Sequence, residues 1–274
     1  MLGVFGANVA NLVLSVANSI FLTRLLGVEG KGEFAIFTAS FGLLSLVLGL
    51  GLDASIRFFV ARDRVDRDRI LTAVLGYAAL CGLLVAGLAR LDHALFDHEI
   101  FLPRSRQTPL FEGVLGGVVA ATLVQTNMKS VFTGRRAFRV VNRLTVMFAV
   151  VSVVLWGGLF WADQEGVLLV GSGGVFQLYL ALTLLHALAF TVLAMTRLGL
   201  RFRLRLPEGG LVRAMVGYAF LSFLAGAAQF LNYRLDYWLV QGLAGTSMLG
   251  LYSLASGLAG MMWILPRSVS TVLM

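Results

Sequence analysis

The sequence predicts an all-α, polytopic membrane protein with about eight transmembrane helices. Of its 274 residues, 58% are apolar and only 13% are charged, whereas a soluble domain carries roughly 25% charged residues. A soluble protein of this size has too much surface to hide so many apolar side chains, and a disordered chain would be far more polar. A soluble globular enzyme and an intrinsically disordered protein are therefore both excluded.

The apolar residues form runs of the length that a helix needs to cross the hydrocarbon core, about 20 residues. The runs do not alternate with a period of two, as the strands of a membrane barrel do. Helices satisfy their own backbone hydrogen bonds in lipid, so the runs predict transmembrane helices. The eight runs lie at about 4–23, 34–56, 70–89, 110–131, 144–162, 174–196, 211–243 and 248–270.

Basic residues are concentrated in alternate loops and predict the orientation of the chain. Fifteen of the 22 Lys and Arg residues follow the second, fourth and sixth runs. By the positive-inside rule, these loops and the N-terminus are cytoplasmic in a bacterial inner membrane. Interleaved acidic residues and the lack of a single basic face argue against binding of nucleic acid; anionic lipids are the expected partners of these loops. The fifteen residues are Arg57, Arg62, Arg64, Arg67, Arg69, Lys129, Arg135, Arg136, Arg139, Arg143, Arg197, Arg201, Arg203, Arg205 and Arg213.

A short internal repeat predicts two related lobes. A shift of 218 residues aligns Gly27 with Gly245 and Gly32 with Gly250. The 218-residue shift spans six apolar runs. Because six is an even number, both repeats would have the same orientation in the membrane, as in transporters built from parallel repeats. We therefore predict a six-helix N-terminal lobe at 1–200 and the first two helices of a second lobe at 211–274. Because this second lobe is incomplete, we expect the chain to be part of a longer protein.

Polar side chains follow one face of three predicted helices. Asn8, Asn11 and Asn18 share a face of the first helix, as their helical spacing shows. On the seventh helix, Gln229 and Asp236 occupy the positions that the 218-residue shift matches to Asn11 and Asn18; Ser222 and Asn232 lie near them. A shorter stripe in the fourth helix contains Thr122, Gln125, Thr126 and Lys129. These side chains either hydrogen-bond neighbouring helices or line a shared hydrated cavity; their matched positions favour the cavity.

Charged residues within the predicted spans allow two interpretations. Arg234 and Asp236 are two residues apart, so they point in different directions and do not simply neutralise each other. They either face the cavity or lie at the membrane interface at a break in the helix. Arg24 and Arg267 lie near span ends, where long side chains also reach the interface. Asp53 and Arg57 have the four-residue spacing of a local ion pair.

The sequence contains no recognisable catalytic or metal-binding motif. Its single cysteine, Cys81, excludes a disulfide framework and a cysteine-built metal site. No nucleophile and base can be paired from the sequence. We therefore predict neither an enzyme nor a bound cofactor or metal.

Several segments together resemble the polysaccharide-biosynthesis proteins, the oligosaccharide flippases. The segment RLLGVEGKGEF at 24–34, with GLGLDASIR at 49–57, is similar to the N-terminal signature of that family. The segments QFLNYRLD at 229–236, GLYS at 250–253 and WILP at 263–266 look like its seventh and eighth helices. The superfamily also contains multidrug and toxin extrusion exporters and lipid II flippases, and its members have 12 to 14 helices in two lobes.

The resemblance implies transport of an undecaprenyl-pyrophosphate-linked oligosaccharide to the outer leaflet by alternating access. Such a headgroup needs a hydrated cavity with cationic and amide groups, and arginine suits phosphate well. The cavity candidates are Asn8, Asn11, Asn18, Arg24, Gln229, Asn232, Arg234, Asp236 and Arg267. A coupling ion, H⁺ or Na⁺, is a further possible partner. Two alternatives stay open: a cation-coupled multidrug exporter of the same fold, for which Asp236 is the best membrane acid, and a membrane scaffold that transports nothing.

Overall fold

A computed structural model describes residues 2–63, 67–95, 108–166, 171–202 and 209–262. All regular secondary structure in these ranges is helical, which confirms the predicted all-α class. Arg267 and the segment at 263–266 lie outside the described residues. The helices are α1 (Leu2–Gly49), α2 (Leu52–Ala61), α3 (Arg67–Leu95), α4 (Pro109–Gly134), α5 (Phe138–Gln164), α6 (Ser172–Leu198) and α7 (Gly209–Met261).

Six of these seven helices are long and apolar enough to cross a membrane, and the predicted count of eight is not supported. The difference arises because α1 contains the first predicted span and most of the second, while α7 contains the seventh and the described part of the eighth. Gly27 (φ 66°, ψ −176°) and Gly245 (φ 85°, ψ 173°) interrupt these two helices with non-helical backbone. The segment after Gly27, expected to be a loop, is helical, and it buries Lys31 and Glu33.

The outward faces of the helices are apolar, as expected of a protein embedded in a membrane. In the most apolar window of α7 only 6% of the residues are buried, although the mean hydropathy is 1.6. Leu243 is 88% exposed and Leu83 is 75% exposed. Apolar surface on this scale is unusual in a soluble monomer and marks a lipid or protein environment.

The chain divides into two compact units, and both α1 and α7 pass from one to the other. Unit 1 contains the described parts of Met1–Ala35, Arg139–Phe176 and Asp236–Met274. Unit 2 contains those of Ile36–Phe138 and Gln177–Leu235. The predicted sequence lobes at 1–200 and 211–274 stay a prediction.

Unit 1 contains a reciprocal helix contact between the two repeat segments. A Cβ atom on Gly32 would collide with the backbone carbonyl of Thr246, and one on Gly250 would collide with that of Val28. The 218-residue shift matches Gly32 with Gly250 and Val28 with Thr246, so the two contacts are equivalent. Together with the matching backbone at Gly27 and Gly245, this reciprocity supports the local alignment of the repeat.

Unit 2 is held together by close approaches at small residues. Gly42 contacts Phe230, Gly226 contacts Leu46, and Gly51 meets the carbonyl of Ala219. Along these contacts the residue numbers fall in α7 as they rise in α1. Helix α7 therefore runs antiparallel to the second half of α1. Helices α3 and α4 cross at Gly82 and Gly116, where added Cβ atoms would meet the facing backbone. Such contacts are typical of packed membrane helices.

Candidate functional site

Unit 2 contains a half-open cavity of about 350 Å³, which we call the polar cavity because polar residues stand among its apolar lining. Helix α4 forms one wall, the C-terminal end of α1 and the start of α2 form another, and α7 closes the third. Its polar lining residues are Ser45, Asp53, Thr122, Thr126, Asn127 and Ser222. Leucine and phenylalanine complete the lining, so the polar groups are concentrated at a few positions, as in ligand sites.

A tight turn between α1 and α2 shapes one edge of this polar cavity. Leu50 (φ 48°) and Gly51 (φ 70°) both adopt left-handed backbone, which ends α1 and redirects the chain into α2. Glycine reaches this conformation without steric cost, whereas a leucine there is strained. Ser55, one turn into α2, donates a 2.9 Å hydrogen bond to the carbonyl of Met215 in α7. The turn is thus fixed against α7 beside the cavity.

Two buried polar atoms of the cavity lining have no hydrogen-bond partner among the described residues. They are the side-chain oxygens of Asn127, Oδ1, and of Ser45, Oγ. Asn127 is only 2% exposed. An unsatisfied buried polar group costs about 1–3 kcal/mol, and such groups in native proteins are normally met by water or a ligand. Both oxygens are buried beneath the cavity surface, so water or a ligand with hydrogen-bond donors reaches them only when the lining moves.

Asp53 brings a carboxylate to the same cavity. Its Oδ2 lies 3.4 Å from Nη2 of Arg57, one helical turn further along α2, which confirms the ion pair that their spacing predicts. The side chains are 36% and 54% exposed, respectively. At such exposure the pair contributes about 0–1 kcal/mol to stability. A ligand that binds the Asp53 carboxylate in place of Arg57 would therefore cost the protein little stability.

The predicted asparagines of α1 have different environments in unit 1. Asn18 Oδ1 accepts a 3.2 Å hydrogen bond from Ser152 of α5, which is the helix-to-helix interpretation of this residue. Asn11 Oδ1 is buried and has no partner in the described part of the chain. Asn8 belongs to α1, and its side chain lies outside the described structure. The stripe therefore contributes at least in part to helix packing.

Asp236 lies beside the repeat contact of unit 1. The Tyr252 hydroxyl donates to Oδ2 of Asp236, whereas Oδ1 is buried and lacks a hydrogen-bond partner in the described ranges. The Tyr237 ring meets the Tyr252 ring edge-on, with centroids 5.9 Å apart, and its hydroxyl lies 2.9 Å from Ser256 Oγ. The carboxylate is therefore oriented by a tyrosine and retains one free acceptor.

The remaining predicted site residues lie at the surface or outside the described structure. Three of them are exposed on the part of α7 that belongs to unit 2: Gln229, Asn232 and Arg234. Arg24 is exposed, and its guanidinium lies 5.7 Å from the ring centroid of Phe160. Arg267 is outside the described residues. Contacts in the described structure therefore do not gather these residues around one ligand.

Sequence reasoning found part of the cavity in unit 2 and missed its most buried polar residues. Thr122 and Thr126, from the predicted stripe on α4, line the cavity. Gln125 of the same stripe instead lies with Nε2 2.9 Å from Nδ1 of His186 on α6. Asn127 and Ser45 were missed because a lone polar residue in an apolar helix looks the same whether it faces a cavity or a neighbour. In the sequence, the two residues are distinguished only as polar residues inside apolar runs.

Comparison of the chain with protein-family models, curated proteins and solved structures found no match. Within the described ranges, no three His, Cys, Asp or Glu residues lie close enough to hold a metal ion. Function must therefore be argued from the cavity, the charges and the sequence resemblance.

Proposed function

We propose that this chain is a membrane flippase, or its N-terminal part, that moves an undecaprenyl-pyrophosphate-linked oligosaccharide to the outer leaflet. The observation that carries the proposal is the polar cavity in unit 2, which is lined by polar residues such as Asp53 and the exposed Thr126 inside an otherwise apolar helical protein. Polar residues inside a membrane protein are costly and commonly line the path of a polar cargo. The resemblance to oligosaccharide flippases gives that cargo its chemical class.

The cargo requires two kinds of contact that this sequence can supply. Sugar hydroxyls donate to hydroxyl and carboxylate oxygens such as those of Thr126 and Asp53, which line the cavity. The pyrophosphate needs cations, and the planar guanidinium of arginine binds phosphate oxygens in pairs. Arg234 and Arg267 are the proposed sources, with Arg24 as a third. The lipid tail stays in the bilayer during alternating access.

The proposal includes eight crossings, with the N-terminus in the cytoplasm of a bacterial cell. The apolar part of α1 has 40 residues and would be about 60 Å long as a straight helix, twice the roughly 30 Å of the hydrocarbon core. Chain reversal at Gly27 and Gly245 would divide α1 and α7 into two crossings each. Reporter tags at 62–69, 135–143 and 201–209 should all be cytoplasmic, and a periplasmic tag at any of them would contradict this orientation.

Transport is tested in liposomes that contain the purified full chain and a fluorescent undecaprenyl-pyrophosphate disaccharide. A membrane-impermeant quencher reports how fast probe moves between leaflets. We expect transfer faster than in protein-free liposomes and several-fold slower in Thr126→Val, which removes a cavity hydroxyl at nearly constant volume.

Thr196→Val is the matched control for this assay. Thr196 is exposed on α6, and its hydroxyl bonds only carbonyls of its own helix. Transfer equal to that of empty liposomes would contradict the flippase proposal. Equal slowing in both variants would remove the cavity from the transport path.

A cation-coupled exporter is the second candidate, favoured by Asp236. A half-buried carboxylate beside Tyr252, with its Oδ1 unpaired in the described structure, is suited to hold a proton or Na⁺. Efflux of a cationic dye that depends on an imposed ion gradient, and is lost in Asp236→Asn, would favour this function. A membrane scaffold would show neither activity.

A further inference from the structure

A second, smaller cavity in unit 2 is lined by two arginines over an apolar floor. Its volume is about 130 Å³, and Arg135 and Arg197 are its charged lining residues. The apolar residues are Val60, Ile70, Val131, Leu198 and Leu200. A water molecule takes about 30 Å³ in the liquid, so the space holds a few waters or one phosphate group. We call it the two-arginine cavity.

The ends of two helices fix the arginines at this place. Arg197 is in the last turn of α6, and the N–H of Leu200 bonds back to the carbonyl of Ala194, 3.3 Å away. Arg135 caps α4, donating its N–H to the Val131 carbonyl at 3.1 Å. Cations at the C-terminal ends of helices are favourable in themselves. To interact with the helix dipole, an arginine needs only to lie near the helix end, so most of its guanidinium N–H groups remain available to bind an anion.

The charge of the two-arginine cavity is not balanced within the described structure. Arg135 Nη1 lies 2.6 Å from Oδ1 of Asp63, whose side chain is 72% exposed. Among the side chains that the structure describes, no acidic residue forms an ion pair with Arg197. Among these described side chains one positive charge therefore has no acidic partner, and the negative ends of α4 and α6 offset it only in part. Arg135 is held in place by Asp63, and Arg197 is free to turn toward an anion.

The two-arginine cavity lies where three candidate spans end on one side of unit 2. The spans Pro109–Gly134 and Gly173–Leu198 stop at α4 and α6, beside Arg135 and Arg197. The third, Arg69–Asp92, begins next to the lining residue Ile70. The end of an apolar span marks the depth of the lipid headgroups. The arginines are thus at the level of lipid phosphates, above an apolar floor.

We propose that the two-arginine cavity binds the phosphate of an anionic phospholipid such as phosphatidylglycerol. Paired guanidinium groups match phosphate oxygens, and the cavity has room for the phosphate group alone, so the glycerol and acyl chains stay outside it, in the bilayer. A free phosphate ion would lose hydration against these apolar walls without gaining donors there. The site is independent of the transported cargo and of the cavity at Asn127.

Native mass spectrometry of the purified full chain in detergent tests this site. The probes are phosphatidylglycerol, phosphatidylcholine with the same acyl chains, and inorganic phosphate. We expect phosphatidylglycerol to bind about tenfold more tightly than phosphatidylcholine, a difference of about 1.4 kcal/mol. In Arg197→Gln this preference should fall to near one, with the melting temperature unchanged because Arg197 is exposed.

Arg213→Gln is the matched control, because it removes the same charge from an exposed position of α7 outside the cavity. It should keep the preference for phosphatidylglycerol. Equal losses in both variants, or no preference in the unmodified chain, would overturn the proposal and leave only general surface charge. Displacement of the lipid by millimolar inorganic phosphate would overturn it in favour of a soluble anion.

Discussion

The reciprocal contact in unit 1 makes Gly32→Ala and Gly250→Ala informative substitutions. A Cβ on Gly32 would lie 2.9 Å from Cγ2 of Thr246 and closer still to its carbonyl oxygen. A Cβ on Gly250 would lie 3.1 Å from the carbonyl carbon of Val28. Backbone atoms of a packed helix do not yield easily, so the helices must separate, at a cost of about 1–3 kcal/mol for overpacking. Alanine's better helix propensity returns about 1 kcal/mol.

We therefore expect each variant to lose up to about 2 kcal/mol of unfolding free energy, measured by denaturant titration in detergent. Because both contacts belong to one crossing, the double variant should lose less than the sum of the single losses, since residues in contact are not additive. Gly76→Ala is the control: it has open space around it on α3 and should stabilise the protein. Additive losses, or stabilisation by either variant, would refute the reciprocal contact.

Two further predictions concern the buried polar groups. Asn127→Leu should leave the chain folded but slow flipping in liposomes, because it replaces a cavity amide by an apolar group; flipping at the unmodified rate would separate this cavity from transport. Tyr252→Phe removes the donor to Asp236 Oδ2 and should cost about 1.5–3 kcal/mol of unfolding free energy, as for hydrogen bonds to charged groups. Ser253→Ala, which loses only a bond to the carbonyl of Gly250, should cost much less, and equal losses would contradict a special role for Tyr252.

The helical class and the local repeat alignment were predictable, because both leave marks in the sequence; the contact between the two repeat segments was not predicted. Long apolar runs define helices that lipid can surround, and the third to sixth runs each coincide with one helix, α3 to α6. The shift that matches Gly27 with Gly245 also matches their unusual backbone, since only glycine enters that region without strain. At Gly27 and Gly245, the residue type itself therefore indicates the backbone conformation.

The number of spans and the most buried polar residues were not predictable in the same way. Apolar length indicates how much chain lipid can cover, but not whether the helix continues through the next polar segment, as α1 does past Lys31. Partners across helices decide the role of a polar side chain: Asn18 meets Ser152, whereas Asn127 meets none in the described structure. Only the packing of the folded helices distinguishes a polar residue that bonds a neighbouring helix from one that does not.

Hydration of the polar cavity in unit 2 is the central claim, and cysteine labelling at two adjacent positions of α7 tests it most directly. Ser222 lines the cavity, while Leu221 is 70% exposed on the apolar outer face. In a Cys81→Ser background, reconstituted into liposomes, a charged membrane-impermeant thiol reagent should modify Ser222→Cys rapidly and Leu221→Cys hardly at all. An unreactive cysteine at 222, or equal labelling at the two positions, would contradict a water-filled cavity.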